Sequence, residues 1–304
     1  MNSLYIKQFQ NETVYIVNIR NGSERMTVYD TLEKRHVMPR AWDDWAAYRS
    51  AWTEWIIRHC ERDRTLLIVG AGACNDYDLA HLIRFFDRII LYDVDERSMQ
   101  EALRRLPEAD RERVTCESGD LLGIRPEEYR DFCNVIQDEV NRTGRLTDIG
   151  GLAQTALQGA RTLYDKAARR RQELILPQAD YVAVSGVHSQ INHMLPWIWQ
   201  AYMQVLGQWE DQVFRLASEE NVRIMHEIND QLLTSAGCGL FVSAEASRAG
   251  VPGSVEGAYQ ALVDLRRHTD ASEWHVTDTT QLAWGYDLRQ NMIYEMEALA
   301  LAQS

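Results

Sequence analysis

Apolar residues in the first forty positions come in short runs of strand length. Leu4-Tyr5-Ile6, Thr13-Val14-Tyr15-Ile16-Val17 and Met26-Thr27-Val28-Tyr29 are rich in β-branched and aromatic side chains, and Asn21-Gly22 between the second and third reads as a hairpin turn. Pro39 then opens a stretch in which Trp42, Trp45, Tyr48, Trp52, Trp55 and Ile56 recur at helical spacing. That stripe predicts one face of a helix, turned either to the core or toward a substrate as an aromatic wall.

From Thr65 the pattern alternates between strands and helices. Leu66-Leu67-Ile68-Val69 is fully apolar and stops at Gly70, as a buried parallel strand does. Leu79, Leu82, Ile83 and Phe86 keep helical spacing. A strand follows from Arg88 to Asp93, then a helix marked by Met99, Ala102, Leu103 and Leu106 and closed by Pro107, then a third strand at Val114-Thr115-Cys116. Strands and helices in this alternation predict an α/β fold with a parallel sheet. Further strands are expected at Tyr181–Ser185 and Gly239–Ser243. The segments before each, about 121–178 and 188–235, are longer than the fold requires and read as helical insertions. Both follow the carboxyl ends of strands, where open α/β sheets bind ligands, and so could cover a substrate. The organisation predicted is an N-terminal β-hairpin and aromatic helix over 1–60, followed by one domain over 61–304. Trp274-His275-Val276 and Ile293-Tyr294-Glu295-Met296 would be its last two strands.

Composition narrows the partners. The 304 residues carry 32 Lys+Arg against 45 Asp+Glu, a net charge of −13, which disfavours a sequence-independent grip on nucleic-acid phosphates. The five cysteines are scattered without a C-x-x-C pair, so neither a disulfide scaffold nor a zinc site is expected, and no metal is assigned. No apolar run approaches ~20 residues, and Met1-Asn2-Ser3 begins no basic-then-apolar leader, so a cytoplasmic protein without membrane partners is expected. A homodimer is left open.

Gly70-Ala71-Gly72-Ala73-Cys74-Asn75-Asp76 lies between a strand and a helix. Glycines there let the backbone approach a ligand, and a helix N-terminus offers unpaired N–H groups. Asp93 ends the next strand, where a carboxylate can accept from both hydroxyls of a ribose. Dinucleotide folds make the same demand, but the nicotinamide fingerprint wants a third glycine where Asn75 stands, and it does not require the acid found at Asp120.

Val69 through Asp76, Leu91-Tyr92-Asp93-Val94-Asp95 and Ser118-Gly119-Asp120-Leu121 together resemble the class I, Rossmann-like S-adenosylmethionine-dependent methyltransferases. The resemblance is strong over 65–120 and extends to 245 through strand order. It implies a doubly wound, mostly parallel seven-stranded sheet with helices on both faces, a final antiparallel hairpin, and S-adenosyl-L-methionine as cofactor. Carried onto this chain, Gly70, Ala71 and Gly72 would cradle the methionine end and Asp93 the ribose hydroxyls. Asp120 and Leu121 would lie beside adenine, and Asn75, Val94 and Ser185 would complete the cofactor set. Cys74 replaces the usual third glycine and Ile68 stands where many members place an acid, which leaves the partner of the cofactor's ammonium open.

Methyl transfer from a sulfonium is an in-line displacement helped by positioning and by removal of a proton. In the family, the segment after the fourth strand faces the donor methyl. Here it holds His188, whose ordinary pKa suits a general base, or which is simply satisfied by local hydrogen bonds. Gln190 and Asn192 could hold a polar substrate group or cap a helix, and His193 is a weaker candidate. Glu245 ends the fifth strand and could receive a substrate amine, with a surface or cap role as its alternative. Trp197, Trp199, Trp209, Trp284 and Tyr286 could cage a cation or pack the core; Gln190, Trp197 and Tyr286 are the candidate substrate contacts. Lys166 with Arg169-Arg170-Arg171 reads as a solvated helix face more readily than as an RNA contact. The favoured function is methyl transfer to N or O of a small, amine-bearing or amino-acid-derived molecule. Its rivals are a methyltransferase acting on a peptide, protein or RNA, a non-catalytic S-adenosylmethionine-binding protein, and a nicotinamide-dependent oxidoreductase.

Overall fold

The computed structural model describes residues 4–5, 15–16, 26–34, 38–143, 149–271 and 273–303. Its organising element is an eight-stranded sheet. Seven strands make a continuous path: β1 (Thr65–Val69), β2 (Arg88–Asp93), β3 (Val114–Ser118), β4 (Ala179–Ser185), β5 (Ala236–Arg248), β6 (Trp274–Asp287) and β7 (Met292–Gln303). Their order is β3-β2-β1-β4-β5-β7-β6. The first five are parallel, and β7 runs antiparallel to both β5 and β6. A short strand, Val251–Ser254, turns back on the end of β5. The mostly parallel α/β sheet expected from the sequence is present. Its final antiparallel pair is much longer than the two apolar cores suggested.

Chain chemistry explains the centre. Leu66 to Val69 are all fully buried, as a strand covered on both faces must be. Leu66 and Ile68 share a cluster with Leu91, Ala183 and Phe241 from neighbouring strands and with Tyr48, Trp52 and Ile56 from α3 (Ala46–Arg58), which follows the short α2 (Ala41–Asp44). The aromatic stripe is therefore largely core. Trp42 and Trp45 depart from it, because the helix breaks at Trp45 and that indole donates instead to Tyr286 O at 3.0 Å. Short helices α4 (Leu79–Leu82) and α6 (Glu108–Arg111) flank α5 (Glu96–Arg104), which packs on β2 and β3.

The chain divides into two units. One comprises residues 38–121, 174–191 and 222–304 and contains the sheet; the other comprises 1–37, 122–173 and 192–221. In the second, α1 (Val28–Glu33) packs with α7 (Pro126–Thr143) and with α10 (Met194–Leu206), while α7 packs along α8 (Ile149–Gln172). Asn192 anchors its interior, accepting from Tyr164 Oη at 2.9 Å and donating to Ala217 O and Asn221 Oδ1. Two residues of the basic run of α8 are used inside this unit. Arg170 forks onto Glu128 at 2.5 and 2.9 Å, and buried Arg171 donates to Leu122 O. The insertions expected to be helical are so; after α9 (His188–Ile191) and α10, α11 (Gln212–Ser235) starts in this unit and ends in the sheet-bearing one. No helix among the described residues is long and apolar enough to cross a membrane.

One expectation is corrected. Met26-Thr27-Val28-Tyr29 is not a strand but the start of α1. Thr27 and Asp30 form a reciprocal capping box, Asp30 N–H donating to Thr27 Oγ1 and Thr27 N–H to Asp30 Oδ2. This satisfies helix-end donors and outweighs the β propensity of Val28 and Tyr29. Leu4–Tyr5 does pair antiparallel with Tyr15–Ile16, whereas the Asn21-Gly22 turn lies outside the described residues. Thr27→Ala should lower unfolding free energy by about 1 kcal/mol, with Thr27→Ser retaining most of it. Urea denaturation checks this, and equal midpoints would show that the cap contributes nothing.

Candidate active site

The loop after β1 turns sharply. Gly70 and Gly72 have φ of +67° and +47°, and Cys74 follows at +50°. A Cβ on Gly70 would stand 2.2 Å from Val187 Cγ2, so only glycine fits there. A Cβ on Gly72 would meet nothing within 4 Å, so the loop borders open space at that point. Gly72 N–H donates to Asp93 Oδ2 and Asp95 N–H to Asp93 Oδ1, both at 2.8 Å. Burial raises the Asp93 carboxyl above its ordinary pKa while these N–H donors oppose the shift.

Two arginines hold the loop's far side. Arg49 Nη1 donates to Asn75 O and to Trp42 O, both at 2.8 Å, and Arg105 Nη1 donates to Ala73 O at 2.7 Å and Asn75 Oδ1 at 3.2 Å. Both guanidinium carbons lie within cation–π range of Trp42, 3.7 and 4.1 Å from its ring centroid. Asn75 is therefore occupied in fixing the loop. Cys74 is fully enclosed, and burial pushes its thiol well above the ordinary range, which makes it a space-filler.

The residue that sequence reasoning passed over is Asp76. Its side chain is buried, and desolvation raises its carboxyl from 3.8 to about 7, against a hydrogen bond from Ser185 and the charge of Arg49. Ser185, at the end of β4, lies 2.8 Å from Tyr48 Oη, and Tyr48 donates to Ser243 Oγ at 2.7 Å. The Ser185 expected beside the cofactor loop is thus tied to its buried acid. Only folding reveals Asp76, since in sequence it reads as one more loop polar. Toward β3, Asp120 and Leu121 are half-buried and buried, Val94 is 65% exposed, and Gly119 lies so close to Tyr92 Oη that a Cβ would be 1.8 Å from it.

A second buried acid stands on β5 just past its last pairing with β4. Glu245 Oε1 accepts from Ser189 Oγ at 2.6 Å, while Oε2 is buried without a partner among the described residues. Burial raises its carboxyl pKa. The β5/β7 register slips beside it: Glu295 pairs with Ser247 but Met296 with Glu245, leaving Ala246 as the extra residue of a bulge. The Glu245 charge acts on the hydroxyls of Tyr48, Tyr286 and Tyr294. Tyr286 stacks on Trp45 at 5.8 Å and meets Trp284 and Tyr294 edge-on at 5.1 and 5.7 Å. Gly186, φ +61°, lets the Trp284 ring approach, since a Cβ there would stand 2.8 Å from it.

The other candidates lie elsewhere. His188 is buried, with neither ring nitrogen hydrogen-bonded among the described residues, and desolvation lowers its pKa to about 4. The polar groups acting on it are Asn229 and Asp264, from α11 and α12 (Ala258–Ala271), not the two buried acids. Gln190 Nε2 donates to Gly186 O at 2.7 Å, a local contact. Trp197 and His193 belong to the helical unit, where their rings meet edge-on at 4.5 Å.

No protein-family model matches the sequence, and no curated protein matches it. Similar solved structures include the magnesium protoporphyrin IX methyltransferase ChlM of Synechocystis PCC 6803 with bound SAM, at 10% identity over 88% of this chain and 86% of that one, TM-score 0.44. The glycopeptide N-methyltransferase MtfA has 11% identity over 84% and 90%, TM-score 0.40. The methyltransferase domain of the bacterial CtHen1-C has 11% over 86% and 99%, TM-score 0.40. Likeness at this level decides nothing about this chain. Its fold stands on its own strand order, and its site on the contacts above.

The raised pKa of Asp76 has a testable sign. Its folded value of about 7 exceeds the unfolded 3.8, so the folded chain binds the proton more tightly and Asp76 costs stability as pH rises from about 4 to 7. Asp76→Asn removes that cost. Its melting temperature should exceed wild type at pH 8, on the order of 2–4 kcal/mol of stabilisation, with the gain shrinking toward pH 4. A variant less stable than wild type at pH 8 would contradict the assignment.

Proposed function

We propose that this chain binds S-adenosylmethionine and transfers its methyl group to a small, amine-bearing acceptor. The observation that carries the reading is the pair of buried carboxylates near the carboxyl ends of the parallel strands, Asp76 beside the glycine loop and Glu245, which accepts from Ser189. The residues fit the cofactor by their own chemistry. The space beside Gly72 admits a ligand, and Asp93 stands ready to accept from ribose hydroxyls. Exposed Val94 and buried Leu121 offer apolar surface to a base, with Asp120 beside them. Asp76 offers a carboxylate to an ammonium group, a role the sequence left open when Ile68 replaced the usual acid. When bound, S-adenosylmethionine supplies an electrophilic sulfonium methyl.

The acceptor side rests on Glu245. A desolvated carboxylate with one uncommitted oxygen beside Tyr286, Tyr294 and Trp284 suits a protonated amine, through charge and through the aromatic faces. Its raised pKa also lets it take a proton from the amine, which must lose one to become nucleophilic. Acceptor handling is placed at Glu245 and not at His188, whose lowered pKa makes it a poor proton acceptor. The formal net charge of −13 and the internal use of Arg170 and Arg171 favour a small acceptor over RNA.

Calorimetry with S-adenosylmethionine, S-adenosylhomocysteine and NAD tests the cofactor. Binding of the two sulfur ligands and not of NAD is expected, and the reverse would end the reading. Asp93→Ala should cost about 1.5–3 kcal/mol of affinity, at least about tenfold in Kd. Affinity should also fall below pH 7, as Asp76 takes up its proton. For the acceptor, methyl label transferred to a panel of amines should drop by about 10²-fold or more in kcat/KM for Glu245→Gln, with cofactor affinity retained. Label entering polymer fractions instead would favour the macromolecular alternative.

A further inference from the structure

Away from these acids, α11 and α12 bring two mirrored pairs together. His226 and Asp230 are one helical turn apart on α11, and Asp264 and His268 one turn apart on α12. The imidazoles stack at 5.2 Å with an interplanar angle of 14°. His226 Nδ1 lies 3.0 Å from Asp264 Oδ1, and His268 Nε2 lies 3.4 Å from Asp264 Oδ2 and 3.0 Å from Asp230 Oδ1. The two ring nitrogens, His226 Nδ1 and His268 Nε2, stand 3.3 Å from each other.

Hydrogen bonds alone serve this cluster poorly. A proton on His226 Nδ1 or on His268 Nε2 can fill one gap, yet each nitrogen faces both the other ring and a carboxylate. With one proton the remaining contacts set lone pair against lone pair, and with both nitrogens protonated, each donating to a carboxylate, the two N–H groups face each other across 3.3 Å. A cation at the centre removes the conflict. Ligand atoms around a tetrahedral ion with bonds of ~2.0–2.1 Å are ~3.3 Å apart, close to the separations here. Asn229, fully buried, donates to Asp264 Oδ2 at 2.9 Å and to Ala261 O at 3.1 Å, the outer hydrogen bond that orients a ligating carboxylate. A cleft of about 330 Å³ lined by Asp230, His268 and Trp274 gives access from solvent.

We propose that His226, Asp264 and His268, with Asp230 alongside, bind a divalent transition-metal ion of the zinc class and cross-brace α11 to α12. Imidazole nitrogen donors favour such an ion over magnesium or calcium. The cysteine spacing that argued against a zinc site has no bearing on these residues, because the two helical pairs are far apart in sequence and meet only on folding. The site is independent of the proposed methyl transfer, and its test reads metal alone.

Tag-free protein stripped with chelator is titrated with cobalt(II) and zinc(II) chloride. The expected result is saturable one-to-one binding, a visible cobalt spectrum of four- or five-coordinate intensity, and a rise in melting temperature that chelator reverses. His226→Ala and His268→Ala should each weaken binding by at least about tenfold. His226 is half-exposed, so its variant alters the ligand set without opening the core. Lack of saturable binding, or unchanged affinity in both folded histidine variants, overturns the proposal.

Discussion

Two carboxylates buried at the carboxyl ends of parallel strands, neither in an ion pair among the described residues, set the terms for what surrounds them. Removing a carboxylate from water is costly unless it is protonated or hydrogen-bonded. Asp76 and Glu245 meet that demand with hydroxyls: Ser185 for one, Ser189 for the other, and Tyr48 feeling both charges. Hydroxyls neutralise no charge. Burial therefore raises both carboxyl pKa values, of Asp76 beside the glycine loop and of Glu245 near the tyrosines of β6 and β7. The bulge at Ala246 belongs to the same logic, since it changes strand alternation where Glu245 must point inward.

Legibility of the sequence followed the range of the interactions. The strands β1 to β3, the glycine loop and Asp93 could be read because local chemistry dictates each of them: a four-residue apolar run, a turn that excludes a Cβ, a carboxylate at a strand end. Met26–Tyr29 misled because a capping box and a β-branched strand share residue types, and here the reciprocal hydrogen bonds of Thr27 and Asp30 win. Asp76 stayed hidden because burial, not identity, gives it a purpose, and burial needs α3 to arrive with Tyr48. The burial of His188, and the action of Asn229 and Asp264 on it, come from α11 and α12 and are not legible in its place along the chain.

The basic run of α8 teaches a related point. Lys166, Arg170 and Arg171 look like a solvated face or a phosphate grip, but Lys166 and Arg170 pair with Glu128, and Arg170 and Arg171 donate to the carbonyls of Gly123 and Leu122. Charge counted along a sequence overstates charge offered to a partner when an arginine fork ties one helix to a glutamate of another, as Arg170 of α8 does to Glu128 of α7.

The contact between Trp45 and Tyr286 spans 241 residues, and Trp55 reaches Asp278 across 223. A ribosome adding roughly 5–20 residues each second leaves roughly 10–50 s between the emergence of the aromatic helix and that of the strand it packs against. During that interval Trp52, Trp55 and Ile56 have no β6 to cover them. The nascent chain thus carries a sticky indole-rich helix for most of its synthesis, a natural foothold for a chaperone. The cluster of Trp284, Tyr286 and Tyr294 forms only when the last strands are made, so a truncated product could hold the glycine loop and still lack those rings.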